Sequence, residues 1–229
     1  MSVLVKICGL NAPEPLEAAL AGGADMVGFV FFAKSPRHVD LTLAQGLSAL
    51  VGGRAQKVAL VVDADDAQIA AIIEALAPDW LQLHGDEPPE RVAALRRLRL
   101  PILKAIGVAE KADLFRAAAY EGVADRLLFD AKPPKDAALP GGNGLTFDWT
   151  LIRDFSARLA RKNWLLSGGL DAGNVGDALR LTGAPGVDVS SGVENAPGEK
   201  SVEKILAFIA AARAAADQAA ALGLAGGSV

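Results

Sequence analysis

The chain has 229 residues, 52% of them hydrophobic and 5% aromatic, with a formal net charge of -4. That length suits one large α/β domain or two small ones, and the mild acidity argues against a nucleic-acid surface. A single cysteine excludes an internal disulfide framework and a cysteine-based zinc cluster, and no uninterrupted apolar stretch reaches membrane-spanning length.

The first apolar run, VLVKICGL, reads as a buried strand that turns at Gly9 and Asn11. It sets Cys8 at the C-terminal lip of that strand, two residues from Lys6 and therefore on the same face. A thiol at such a lip serves as a nucleophile or, as thiolate, as a base, although a lone cysteine is more often a small buried hydrophobe. The leading residues lack the basic and long apolar regions of a signal peptide, which predicts a soluble cytoplasmic protein without membrane or nucleic-acid partners. Further strand-like runs begin near Met26 (MVGFVF), Lys57 (KVALVV), Trp80 (WLQLH), Pro101 (PILKAI), Arg126 (RLLFD), Trp164 (WLLSG) and Gly186 (GVDVSS). Each gap holds an Ala/Leu-rich amphipathic segment. Asp65, Asp113 and Asp171 are the expected N-terminal caps, and Gly22 and Gly122 the expected C-terminal ones. Eight strand-helix units in one chain predict a single-domain α/β fold, a (β/α)₈ TIM barrel over residues 1–213. An open doubly wound sheet is the alternative. Residues 214–229 form an Ala/Gly-rich tail expected to fray.

Polar residues gather at the predicted C-terminal strand ends: Lys6 and Cys8, Gln82 and His84, Lys104, Asp130, and the SGG and DVSSG runs. In such barrels the loops after strands seven and eight often hold phosphate. Gly168 and Gly169 let backbone approach an anion, and Ser190, Ser191 and Gly192 offer N–H and hydroxyl donors. The long stretch from Asp130 to Trp149 reads as a lid loop, hinged at Gly141, Gly142 and Gly144 and anchored by Phe147 and Trp149.

Taken in order, KICG, GFVFFAKSPRHV, VALVVD, LQLHGDE, KAIGV, LLFDAK, PGGNGLTFDW, LLSGGLDAGNV and VDVSSGVENAPGEK resemble the phosphoribosylanthranilate isomerase family of tryptophan biosynthesis. The resemblance runs from about Val3 to Phe208. It implies an Amadori rearrangement of a phosphoribosylated anthranilate, an aldose-to-ketose isomerisation without metal or cofactor. It also implies Cys8 as the base and Asp130 as the acid, with Arg37 at the anthranilate end of a small phosphorylated substrate. The reaction needs a thiolate at Cys8, which nearby Lys6 is expected to favour. His84 and Gln82 are expected to hydrogen-bond within the site, and Asp188 to orient it. Lys6, Lys104 and Lys132 are candidate sources of positive charge. Leu145 departs from the family pattern, where a basic residue is common.

Two other functions fit the same architecture. One is a catalytically silent phosphosugar-binding barrel. The other is the related aldose-ketose isomerase of histidine biosynthesis, which uses aspartates on strands one and five, where this chain has Cys8 and Lys104. Monomer and homodimer both stay open.

Overall fold

The computed structural model describes residues 3–132, 141–142, 144, 146–156 and 164–221. Eight parallel strands close into a barrel: β1 Leu4–Cys8, β2 Met26–Phe31, β3 Gln56–Val61, β4 Trp80–Leu83, β5 Ile102–Val108, β6 Arg126–Ala131, β7 Trp164–Leu166 and β8 Gly186–Val189. β8 pairs back onto β1, with Lys6 opposite Asp188, so no barrel edge is left unpaired. The expected starts at Val3, Lys57 and Pro101 each move by one residue.

Strand alternation divides the apolar residues into two cores. Outward side chains such as Val5, Ile7, Phe29 and Phe129 pack under the helices. Inward ones, Leu103, Ala105, Leu128 and Leu165 with Leu4 and Trp80, plug the barrel interior. Above that plug the interior turns polar, with Lys6, Gln82 and Asp188 all buried.

The helices begin where local hydrogen bonding permits. Asp65 caps α3 (Asp66–Leu76) in a reciprocal capping box with Gln68. Asp113 is not a cap. Glu110 caps α5 (Lys111–Ala117), and Asp113 closes the box from the third helical position. Asp171 likewise precedes the start of α7 (Val175–Thr182), which follows Asn174. Its carboxylate instead accepts the Gly173 and Asn174 N–H groups in a turn, at 2.7 and 3.0 Å. Gly22 is the C-cap of α1 (Pro13–Ala21). Gly122 falls one residue beyond Glu121, which ends a 3₁₀ turn appended to α5.

Two further differences lie near the end of the chain. A small antiparallel hairpin, β9 (Glu194–Ala196) and β10 (Glu199–Lys200), follows β8 and was not signalled by strand-like residues. The last helix, α8 (Val202–Ala221), continues past Arg213 and buries Ala215, so residues 214–221 are helix rather than tail.

Candidate active site

Because all eight strands are parallel, their C-terminal ends share one rim, and a cleft of about 750 Å³ including its open mouth lies there. Cys8 and Asp130 both line it, from β1 and β6. The arrangement at Cys8 depends on a glycine across the strand pair. Gly28 is its register partner, and a Cβ there would come within 2.9 Å of Cys8 Sγ and 3.3 Å of Lys6 Nζ. The missing side chain gives both groups their room inside the barrel. Lys6 is tied to Asp188 at 2.6 Å. Burial pushes the Cys8 thiol above its ordinary range, although the Lys6 ammonium pulls the other way. The expectation that Lys6 favours the thiolate is thus outweighed by desolvation, since Asp188 already absorbs much of that positive charge.

Asp130 is held on both oxygens. Its Oδ1 accepts the Ala131 N–H at 2.9 Å, and its Oδ2 lies 3.3 Å from His84 Nε2. Gln82 is fully buried behind His84 rather than on the cleft wall, its amide nitrogen 3.1 Å from His84 Nδ1. With the amide in that orientation Nδ1 is the acceptor, so the ring proton sits on Nε2 and faces Asp130. Of the expected lid, of which residues 133–140, 143 and 145 lie outside the described residues, Gly141 packs against this pair. A Cβ on Gly141 would lie 2.5 Å from His84 Nε2 and 2.6 Å from Asp130 Oδ2. Leu145 lies outside the described residues. Phe147 and Trp149 pack against the core, at the far end of the loop.

Arg37 is buried and lines the same cleft. Its Nε and Nη2 donate to the two oxygens of Glu194 at 2.7 and 2.8 Å, and Nη2 also donates to the Gly142 carbonyl at 3.1 Å. This bidentate grip fixes the plane of the guanidinium.

The loops after β7 and β8 form the third wall. Gly168 and Gly169 line the cleft with left-handed backbones, φ +89° and +62°. A Cβ on Gly168 would meet the Ala131 nitrogen at 2.7 Å. Ser190 and Ser191 line the same wall, as does Ser167. Gly192 does not line the cleft. It is packed so that a Cβ would fall 1.9 Å from the Leu170 carbonyl, which locks the two loops together.

Two of the three candidate lysines face elsewhere. Lys104 alternates with inward Leu103 and Ala105 and so points outward, to Glu87 at 3.0 Å and the Gly85 carbonyl at 2.7 Å. Lys132 bonds to Asp113 at 3.0 Å. The cation that does reach the phosphate-type loops is Lys200, whose Nζ donates to the Ser190 carbonyl at 2.8 Å and to Glu194 at 2.7 Å. Sequence reasoning missed both Glu194 and Lys200. The only signal was the mixed charge of ENAPGEK, two glutamates and a lysine in a run that otherwise reads as a surface turn. Among the described residues no group of three or more His, Cys, Asp or Glu is placed to hold a metal ion.

Comparison with known proteins gives one consistent result. A family model described as N-(5'-phosphoribosyl)anthranilate (PRA) isomerase matches residues 5–211. A protein of that name from Rhodopseudomonas palustris (strain BisB5) is 62% identical over 215 residues, 93% of this chain and 97% of its own. One from Azorhizobium caulinodans is 60% identical over 216 residues, 94% of this chain and 93% of its own. A solved phosphoribosyl anthranilate isomerase from Thermotoga maritima superposes with a TM-score of 0.83 at 35% identity, covering 93% of this chain and 99% of that one. Another, in complex with reduced 1-(o-carboxyphenylamino)-1-deoxyribulose 5-phosphate, gives 0.80 at 33% identity over 93% and 99%.

Proposed function

The chain belongs to the N-(5'-phosphoribosyl)anthranilate isomerase family, and on that footing we propose that it rearranges N-(5'-phosphoribosyl)anthranilate to 1-(2-carboxyphenylamino)-1-deoxyribulose 5-phosphate with Cys8 as base and Asp130 as acid. One observation carries the assignment. Cys8 and Asp130 line a single cleft together with Arg37, Gly168, Gly169, Ser190 and Ser191. A ligand with an anionic aromatic ring at one end and a phosphate at the other fits that polarity. The analogue bound by the related structure has this form.

The proposed rearrangement uses these groups in turn. Asp130, protonated, gives its proton to the ribose ring oxygen as the C1'–O bond breaks. The nitrogen lone pair forms the C1'=N bond. Cys8 thiolate then takes the proton from C2', the C–H electron pair becomes the C1'=C2' bond, and the C1'=N π pair returns to nitrogen, giving an enolamine. Reprotonation at C1' and loss of the enol proton give the ketose. Because burial holds the thiol proton tightly, thiolate is a minority form near neutral pH, but each thiolate is a correspondingly stronger base. His84, with Nε2 3.3 Å from Asp130 Oδ2, orients the acid. Arg37 presents a guanidinium to the anthranilate carboxylate or ring. Among the described residues no helix is long and apolar enough to cross a membrane, and the cytoplasm is the proposed location.

The test is the fluorescence decay of freshly generated phosphoribosylanthranilate with wild type, Cys8→Ser and Asp130→Asn. Each substitution should lower kcat by about 10²–10⁴ while the folded protein still binds the reduced product analogue. A folded wild type without turnover would leave only a phosphosugar-binding barrel.

A further inference from the structure

Lys200 stands out among the buried charges because the cluster around it does not balance. Its side chain is fully buried, and its three N–H donors find three acceptors: the Ser190 carbonyl at 2.8 Å, Ser190 Oγ at 3.2 Å and Glu194 Oε1 at 2.7 Å. Glu194 is already matched by Arg37 on both carboxylate oxygens. Two cations therefore share one carboxylate, and the surplus charge lies against the loop that carries Ser190 and Ser191. Burying an uncompensated ammonium is unfavourable in the empty protein. Its cost is recovered when an anion arrives beside it. Gly9 keeps the pieces close, since a Cβ there would come within 2.7 Å of Arg37 Cδ and 3.1 Å of Ser190 Oγ.

We propose that Lys200 is a positioning residue that joins the two ends of the substrate site, holding the Ser190 loop for phosphate while bracing the Glu194–Arg37 pair for the aromatic carboxylate. The inference rests on the isomerase reading for what occupies the two ends. The bonding pattern that motivates it is independent of turnover. Burial also lowers the proton affinity of Lys200, in keeping with a cation awaiting a further anion.

The test uses the full chain as wild type, Lys200→Met and Lys200→Arg, with inorganic phosphate and anthranilate as separate probes of the two ends, measured by calorimetry. Lys200→Met should melt at or above the wild-type temperature, because an apolar chain of similar length replaces a surplus charge and leaves Glu194 paired with Arg37. It should weaken phosphate by about tenfold to a hundredfold, the range for losing the charge-assisted hydrogen bonds that hold the Ser190 loop, and weaken anthranilate in parallel. In turnover, KM should rise with kcat changed less than about threefold, as for a loss of uniform binding. Lys200→Arg should recover most of the phosphate affinity. Unchanged phosphate affinity in Lys200→Met would overturn the proposal. So would a weakened phosphate with anthranilate untouched, which would leave a local contact without coupling. A wild type that binds both probes but does not isomerise would overturn the isomerase reading alone, since the binding comparison still scores Lys200.

Discussion

Lys6 Nζ lies 2.6 Å from Asp188 Oδ1, and both side chains are buried. The pair spans the seam where β8 closes onto β1, one turn of alternation below Cys8, and Ser167 Oγ donates to the second Asp188 oxygen at 3.3 Å. Removing one partner strands the other in a low-dielectric interior. Lys6→Met should therefore destabilise the fold by about 3–5 kcal/mol. The double change Lys6→Met with Asp188→Asn should recover much of that loss. Denaturant unfolding of the three proteins checks it, and a single mutant as stable as wild type would contradict the account.

The buried thiol gives a pH prediction with a definite sign. The folded Cys8 pKa is raised, so the native state keeps its proton after the unfolded chain has lost it. The associated stability is fully present below the ordinary thiol pKa of about 8.5 and is lost as pH rises toward the folded value. Cys8→Ala should remove this part of the alkaline decline. Iodoacetamide labelling of the native protein should likewise need a higher pH than labelling of the urea-unfolded chain.

Gly192 joins the loops after β7 and β8 at a separation no side chain tolerates, 1.9 Å from a virtual Cβ to the Leu170 carbonyl. Gly192→Ala must part those loops. Phosphate affinity and KM should then worsen by about tenfold or more, in line with one to two charge-assisted hydrogen bonds misplaced. Cys8 and Asp130 stand on strands away from the strain, so kcat should fall less. Steady-state kinetics on the purified variant separates the two parameters.

Lys104 and Glu87 brace His84 from behind. Lys104 donates to the carbonyls on either side of it, Leu83 at 3.4 Å and Gly85 at 2.7 Å, while Glu87 accepts the Gly85 and Asp63 N–H groups. Glu87→Gln keeps the shape but leaves Lys104 without its counter-charge. It should cost about 3–5 kcal/mol of stability. It should also lower kcat by up to about 10²-fold through displacement of the His84–Asp130 pair. KM should move little, because neither residue lines the cleft. Kinetics below the melting transition distinguishes this from simple unfolding.

The amino-acid order determines the eight strands, their parallel closure and the placing of Cys8 and Asp130 at one rim, because each is written in local apolar period and in strand-end position. It also carries the glycines that let the phosphate-type loops approach, since residue type alone signals a left-handed or crowded backbone. Tertiary structure decided which charges serve the site. Lys6, Lys104 and Lys132 look alike in sequence, yet strand alternation turns Lys104 outward, and Asp188 and Asp113 hold the other two. The cation beside the Ser190 loop, Lys200, comes from a two-residue strand 10 positions downstream, too short for any pattern to reveal. The proton affinity of Cys8 was likewise beyond the linear sequence. It depends on how much water the closed barrel removes, and that desolvation outweighs the neighbouring ammonium that the spacing alone made prominent.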